Sequence, residues 1–421
     1  MKNKLLAALM LTFCCANVAS AETITLIPDA YVDVAQGTLV RGKAIIVDGN
    51  SIVDIVPTES VSSDARVVRL DGKTLVPGLI DAHSHVLLHP YNEISWNDQV
   101  LKESITERAL RASNHMRSTL MAGFTSLRDL GSEGAEYADV AVRDSLHKGV
   151  IIGPRLIVAG KAIVATGSYG PKGYADHHSI TLGAEPADGA DLVRVVRDQI
   201  GRGADIVKVY ADYRWGPNGE ARPTFSVDEL KTIVDVAASS GRPVIAHAST
   251  DEAMRRATLA GVQSIEHGDG GSLKTFKLMR EKNVIFCPTV AAGDAISQYR
   301  GWVKGSGEVP ARIKQKKTSM ENAIKAGVTI CNGSDVGVFP HGDNVRELEL
   351  LVMHGLSPQE VLKAATITGA ELMGMKDKLG QIKKGYLADL ITVEGNPLED
   401  VSVLKEVSFV MKDGVIYKGA K

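Results

Sequence analysis

The stretch Val76-Pro77-Gly78-Leu79-Ile80-Asp81-Ala82-His83-Ser84-His85 decides how the rest of the chain is read. Pro77-Gly78 is turn chemistry, and it opens a short apolar run. Leu79, Ile80 and Ala82 suit a strand that is covered on both faces. His83 and His85 end the run two residues apart, which puts both side chains on one side of an extended chain. Two imidazoles on one inner face can share a metal ion. A His-x-His on its own is more often a pair of satisfied polar histidines, so the company it keeps has to decide.

The same unit recurs along the chain. Between about residues 76 and 375, short apolar strands alternate with amphipathic helices. Eight strand candidates stand out, at 78–85, 125–129, 155–159, 205–210, 244–248, 264–267, 284–288 and 329–333. Helical periodicity lies between most of them, as at 188–202, 227–239 and 318–326. A strand-then-helix repeat predicts parallel strands, and eight of them predict an α/β fold closed into a (β/α)8 barrel. Both chain ends are instead β-rich. Alternating strands are expected at 23–28, 44–47, 52–57 and 67–70, then at 390–393, 407–411 and 415–417, with Asp413-Gly414 as a hairpin turn. Chain ends often lie close together, so 22–75 and 376–421 are expected to build one small β-sandwich domain beside a barrel of residues 76–375.

Active sites of such barrels sit at the C-terminal ends of the strands. Strand one ends in His83 and His85, strand four carries Lys208, strand five ends near His247, strand six at His267, and strand eight runs into Asp335. Lys208 stands in a strand whose two faces are both covered, so it needs a partner or a depressed pKa. A neutral buried amine can add carbon dioxide, and the resulting carbamate has two oxygens with which to bridge two cations. Each residue alone has a plain alternative: a lysine paired with a carboxylate, a rim histidine, an aspartate capping a helix. Five such coincidences at one barrel end are better explained together, by a dinuclear metal site.

At this point the chain resembles a family. The segment from Val76 to His85 is similar to the first metal motif of the amidohydrolase superfamily. The resemblance continues through Gly203-Ala204-Asp205-Ile206-Val207-Lys208, Ala246-His247-Ala248, Glu266-His267-Gly268, Gly333-Ser334-Asp335 and His341-Gly342, to Lys384-Gly385-Tyr386-Leu387-Ala388-Asp389-Leu390. It looks most like the imidazolonepropionase-like and Xaa-Pro-dipeptidase-like branch, which includes dipeptidases, N-acyl amino acid hydrolases and ochratoxin-type amidases. The resemblance implies that His83 and His85 bind a first metal with Asp335, that His247 and His267 bind a second, and that carboxylated Lys208 bridges both. Two divalent ions, expected to be zinc, would lower the pKa of a shared water and polarise the scissile carbonyl. Asp335 would then act as base and afterwards as acid. One departure stands out. Many relatives carry Gly-Gly-His after strand three, where this chain reads Thr166-Gly167-Ser168-Tyr169-Gly170, so the carbonyl-polarising role falls to Tyr169, His177 or His178, or to none of them.

Selectivity has to come from groups around the metals. Tyr210 shares the inward face of Lys208, and Arg214 follows on the same loop, where a guanidinium could clamp a carboxylate. With Tyr169 and His341 these form the expected substrate-binding set. Val336, Val338 and Phe339 favour an apolar side chain. The expected activity is hydrolysis of dipeptides or N-acyl amino acids that carry a free carboxylate. The competing readings are a cyclic-amide, lactone or phosphotriester hydrolase on the same metals, and a non-catalytic exported binding protein.

Composition fits a folded enzyme: of 421 residues 44% are hydrophobic and 23% charged, which disfavours global disorder. A net charge of -2 gives no reason to expect a nucleic-acid partner or an anionic membrane surface. The partner expected is a small-molecule substrate, and the chain is expected to be a homo-oligomer. Lys2 and Lys4, an apolar run over 5–18 and Ala19-Ser20-Ala21 read as a signal peptide of residues 1–21, which implies a periplasmic or secreted protein with no membrane insertion after cleavage. Phe13 spoils a lipoprotein box at Cys14 and Cys15. Cys287 and Cys331 then remain, and they read as lone core thiols that would pair only if adjacent.

Overall fold

The computed structural model describes residues 23–419 apart from Asp64 and Asp176; the expected signal segment, with Cys14 and Cys15, lies outside the described residues. Seven regular parallel strands form the barrel wall: Leu79–Ser84, Phe124–Asp129, Arg155–Val158, Val207–Tyr210, Val244–Ala248, Ser264–His267 and Ile285–Cys287. The first three pair in order, and so do the last four. The two groups meet at the base, where the amides of Asp205 and Ile206 both donate to the Val158 carbonyl at 2.8 and 3.3 Å. Pro77 ends a strand and Gly78 separates it from Leu79–Ser84 without a turn; a Cβ on Gly78 would lie 2.2 Å from Thr125 Oγ1.

The eighth strand is a correction. Residues 329–333 do not form a regular strand; only Ile330 bridges to Phe286. The segment nevertheless closes the ring. Cys331 N donates to Phe286 O at 2.9 Å on one side, and Ala82 N donates to Asn332 O at 2.9 Å on the other. Asp335 N then donates to His83 O and His85 N donates to Val336 O. Just beyond the segment Asp335 turns into the left-handed region, φ 62°, so the chain does not continue as an extended strand. The same closure corrects the cysteine reading. Cys287 and Cys331 are neighbours across this seam, with Cα atoms 4.9 Å apart, and they form a disulfide.

Helices lie between the strands, with caps that the sequence announces. Val227–Ala238 starts on a capping box of Ser226 and Glu229. Ala311–Ala326 begins seven residues before the helix expected at 318, directly after Pro310, which sits at the N-cap position. A short strand that was not expected, Ile163–Val164, pairs with Val209 and with Glu185–Pro186.

Outside the barrel the two chain ends share a single eight-stranded mixed sheet. Ile24–Asp33 runs parallel to Arg66–Pro77, and Leu390–Glu394 pairs with the other edge of Arg66–Pro77, antiparallel. The sheet curls on itself, since Ile52 N donates to Tyr386 O and Ala388 N to Asn50 O, both at 2.8 Å. Leu26, Ile45, Ile52, Leu75, Leu390 and Phe409 fill its interior. The Asp413-Gly414 turn has positive φ at both residues, as its hairpin requires. Arg66–Pro77 leads directly into the first barrel strand, so the sheet anchors the strand that carries His83 and His85.

Candidate active site

The strand ends bring five of the expected side chains to one mouth. His83, His267 and Asp335 form a cluster able to hold a metal ion, each offering an atom within 4.8 Å of the others. His85 Nε2 lies 3.4 Å from Asp335 Oδ1, and His83 Nε2 lies 3.6 Å from it. The His247 ring is 4.4 Å from the His267 ring and stacks on Tyr210 at 4.5 Å. Lys208, the sixth expected group, is buried on the inner face, with Nζ 5.7 Å from the Tyr210 ring centre.

Each imidazole has one nitrogen held from behind. His83 Nδ1 meets Glu266 Oε2 at 2.8 Å, His85 Nδ1 meets the Gly131 carbonyl at 3.0 Å, and His267 Nδ1 meets Thr289 Oγ1 at 2.7 Å. His247 is turned the other way, with Nε2 3.5 Å from Asp212 Oδ1. A backing acceptor fixes the tautomer and leaves the opposite nitrogen as a lone-pair donor. In this structure the buried His83 Nε2, His247 Nδ1 and Lys208 Nζ have no hydrogen-bond partner. Buried polar atoms without partners are costly, and a cation would satisfy the two imidazole nitrogens, whose lone pairs are free to bind it. The donor set therefore fits a metal centre.

Electrostatics agree. Burial, then the Lys208 charge, push the His83 imidazole down to about 3, and burial holds those of His247 and His267 well below their usual range. All three imidazoles are therefore neutral at ordinary pH, the state that can donate a lone pair. Burial pushes the Glu266 carboxyl up, but Arg128 and His83 more than offset it and leave it at about 2, so an anion stands behind His83. Burial lowers the Lys208 ammonium to about 8 against the pull of Glu266 and Asp335, and raises the Asp335 carboxyl to about 6.

The backbone around this cluster is strained. His267, Thr289, Asp335 and Glu133 all have positive φ without being glycine. Asp81 holds the Asp335 turn, accepting from His83 N, Ser334 N, Ser334 Oγ and Asn344 Nδ2. Sequence reasoning assigned no role to these backing groups. Glu266, Arg128 and Asp81 did carry a signal, the one that singled out Lys208: a charge inside an apolar strand with both faces covered.

The cluster opens into a cavity of about 940 Å³. Tyr169, Tyr210 and Arg214 line it, as does Val338. Arg214 is exposed; its guanidinium lies over the Tyr213 ring at 5.3 Å and donates to the Tyr213 hydroxyl at 3.2 Å. His341 does not line the cavity. It stacks on His115 at 4.2 Å and meets the Leu88 carbonyl at 3.1 Å. His177 and His178 are exposed and also outside the lining, and Val336 and Phe339 belong to the core. Tyr169 is the member of the carbonyl-polarising trio that faces the cavity, and its hydroxyl donates to Glu133 Oε2 at 2.7 Å.

Comparison with known proteins agrees with this geometry. The model of the amidohydrolase family matches residues 74–417. The chain belongs to the amidohydrolase family. It is 31% identical to ochratoxinase of Aspergillus niger over 94% of this chain and 87% of that protein. It is 24% identical to imidazolonepropionase of Deinococcus radiodurans, over 86% of this chain and 88% of that one. A solved Xaa-Pro dipeptidase, holding methionine in its active site, superposes with a TM-score of 0.83 at 30% identity, covering 94% of this chain and 100% of that one. Family membership and the ligand cluster together make this protein a metal-dependent hydrolase that acts on C–N bonds. Among the described residues no helix is long and apolar enough to cross a membrane.

Proposed function

We propose that the protein is a dinuclear amidase that cleaves dipeptides or N-acyl amino acids bearing a free carboxylate, ochratoxin-type substrates among them. The observation that carries the reading is the convergence of four backed imidazoles and Asp335 beside a buried Lys208 amine that has no hydrogen-bond partner, with His85, His247, His267 and Asp335 lining one cavity. His83 and His85 would hold one ion with Asp335, and His247 and His267 the other. Lys208 would bridge them as a carbamate: its neutral amine adds to carbon dioxide, an N–C bond forms and a proton leaves. An amine lowered to about 8 is neutral often enough for that addition. When bound, two zinc ions would supply Lewis acidity, making water a better acid and the substrate carbonyl a better electrophile.

The chain's own residues do the rest. Asp335, with a carboxyl raised to about 6 beside His85, accepts the proton of the attacking water and returns it to the leaving nitrogen. Tyr210 covers the cluster, and Tyr169 closes the cavity wall next to it. Arg214, at the cavity edge, clamps the substrate carboxylate. The test is to compare an N-acyl-phenylalanine with its C-terminal amide, in wild type and in Arg214→Ala. Amidation should lower kcat/KM strongly in wild type and little in the variant. Equal turnover of acid and amide by wild type would shift weight to the cyclic-amide and lactone reading. The same proposal takes 1–21 as a signal peptide and the mature protein as periplasmic or secreted and homo-oligomeric. It divides that protein into a sandwich domain of 22–75 and 376–421 and a barrel of 76–375.

A further inference from the structure

Across Gly131 from His85 lies a second buried cluster, one that the metal chemistry does not use. Its centre is Glu133, a glutamate in the left-handed region, φ 47°, and only 3% exposed. The carboxylate is held by aromatic donors. Trp96 Nε1 donates to Oε2 at 2.8 Å, the Tyr169 hydroxyl donates to the same oxygen at 2.7 Å, and the Tyr210 hydroxyl reaches Oε1 at 3.3 Å. The rings pack as a box, with Trp96 and Tyr169 centres 5.4 Å apart and Tyr169 and Tyr213 4.7 Å apart. The nearby guanidinium of Arg108 attracts the carboxylate but makes no direct bond to it, because its donors go to the backbone oxygens of Leu87, Ser132 and Glu133 itself. Burying a carboxylate with no cation bonded directly to it is expensive. A glutamate that served only to order two tyrosines and an indole could be replaced by an amide at lower cost.

We propose that Glu133 and its aromatic box form the subsite for the substrate's ammonium group, so that the protein prefers dipeptides with a free N-terminus over N-acyl amino acids. The inference rests on the amidase reading above and chooses between its two substrate classes. Three features point the same way. Glu133 faces the catalytic cavity, with Oε1 on the longer and less saturated contact. It lies beside the cluster: a Cβ placed on Gly131 would be 3.4 Å from Glu133 Oε1 and 3.8 Å from His85 Cε1. In a dipeptide the ammonium sits on the carbon next to the scissile carbonyl, so it must fall near the metal centre. Aromatic faces around a carboxylate add a cation–π attraction that a neutral acyl chain does not receive. An isosteric acyl group would leave Glu133 desolvated and unpaired, which penalises that substrate.

The experiment compares L-leucyl-L-phenylalanine with isocaproyl-L-phenylalanine, which has the same skeleton without the amine, using the zinc-loaded protein and its Glu133→Gln variant. In wild type kcat/KM should favour the dipeptide by at least about tenfold, and in Glu133→Gln the ratio should collapse towards unity. A merely structural role would slow both substrates together and leave the ratio unchanged. Calorimetric titration with L-leucine and with isocaproate adds a readout that does not need turnover. Leucine should bind wild type more tightly, and the difference should vanish in the variant. Equal or better use of isocaproyl-phenylalanine by wild type, with no preference for leucine in binding, overturns the inference and leaves the amidase reading standing. Hydrolysis of neither substrate defeats the amidase reading, and the calorimetric comparison then decides the ammonium subsite on its own.

Discussion

The two buried clusters at the barrel mouth share a neighbourhood and a strained backbone, yet they are built on opposite principles. Around the metal cluster, acceptors stand behind the imidazoles and lone pairs face the centre. Around Glu133, donors face the centre and converge on one carboxylate. The first arrangement wants cations with empty coordination sites, and the second wants a cation that brings its own protons. Burial alone does not tell them apart, since Lys208 and Glu133 are equally hidden. What separates them is which partner each polar atom lacks.

The sharpest break in that contrast is Asp335→Asn. The amide fills the same space but cannot take a proton, so kcat should fall by about a thousandfold or more with the folded state retained. Near-normal kcat in the metal-loaded variant would place the proton shuttle elsewhere. Lys208→Ala should lose the second ion and most of the activity, with partial rescue by short carboxylic acids that can supply the missing bridge. Metal content and rescued rate are the quantities to follow. Next in size is Glu266→Gln, which keeps the hydrogen bond to His83 but removes the anion behind it. Metal affinity should weaken by about ten- to a hundredfold, measured by competition with a chelator. The smallest effect is expected of Thr289→Ala, where a neutral hydroxyl backs His267, and a loss of about tenfold or less in the same assay is the outcome to look for. If Thr289→Ala cost more than Glu266→Gln, the charge behind His83 would not be what distinguishes the two backings.

The sequence made one of these clusters far more visible than the other. His83, His85, His247 and His267 end apolar strands, and strand ends in a barrel share one rim, so their convergence could be read from periodicity alone. Lys208 announced itself as a charge in a strand covered on both sides. Glu133 offered no such signal. It stands in Gly131-Ser132-Glu133-Gly134, which reads as an exposed polar turn, and only the folded loop puts Trp96 and Tyr169 around it. The pairing of Cys287 with Cys331 was hidden for a related reason. Their adjacency depends on a closing segment that forms no regular strand. Arg214 follows Lys208 on a short strand, Asp212–Arg214, paired with Ala221–Pro223 rather than on the expected loop, and its resting position over Tyr213 depends on a ring that spacing could not orient. His341 had the motif but not the location, because a stack with His115 holds it away from the cavity.

The central claim is that backed imidazoles, Lys208 and Asp335 make a site for two ions, and elemental analysis of the purified mature protein tests it most directly. About two divalent transition-metal ions per chain are expected, zinc foremost, with activity lost on chelation and restored by zinc. Protein that carries no tightly bound metal and whose hydrolytic activity is indifferent to chelators would contradict the account.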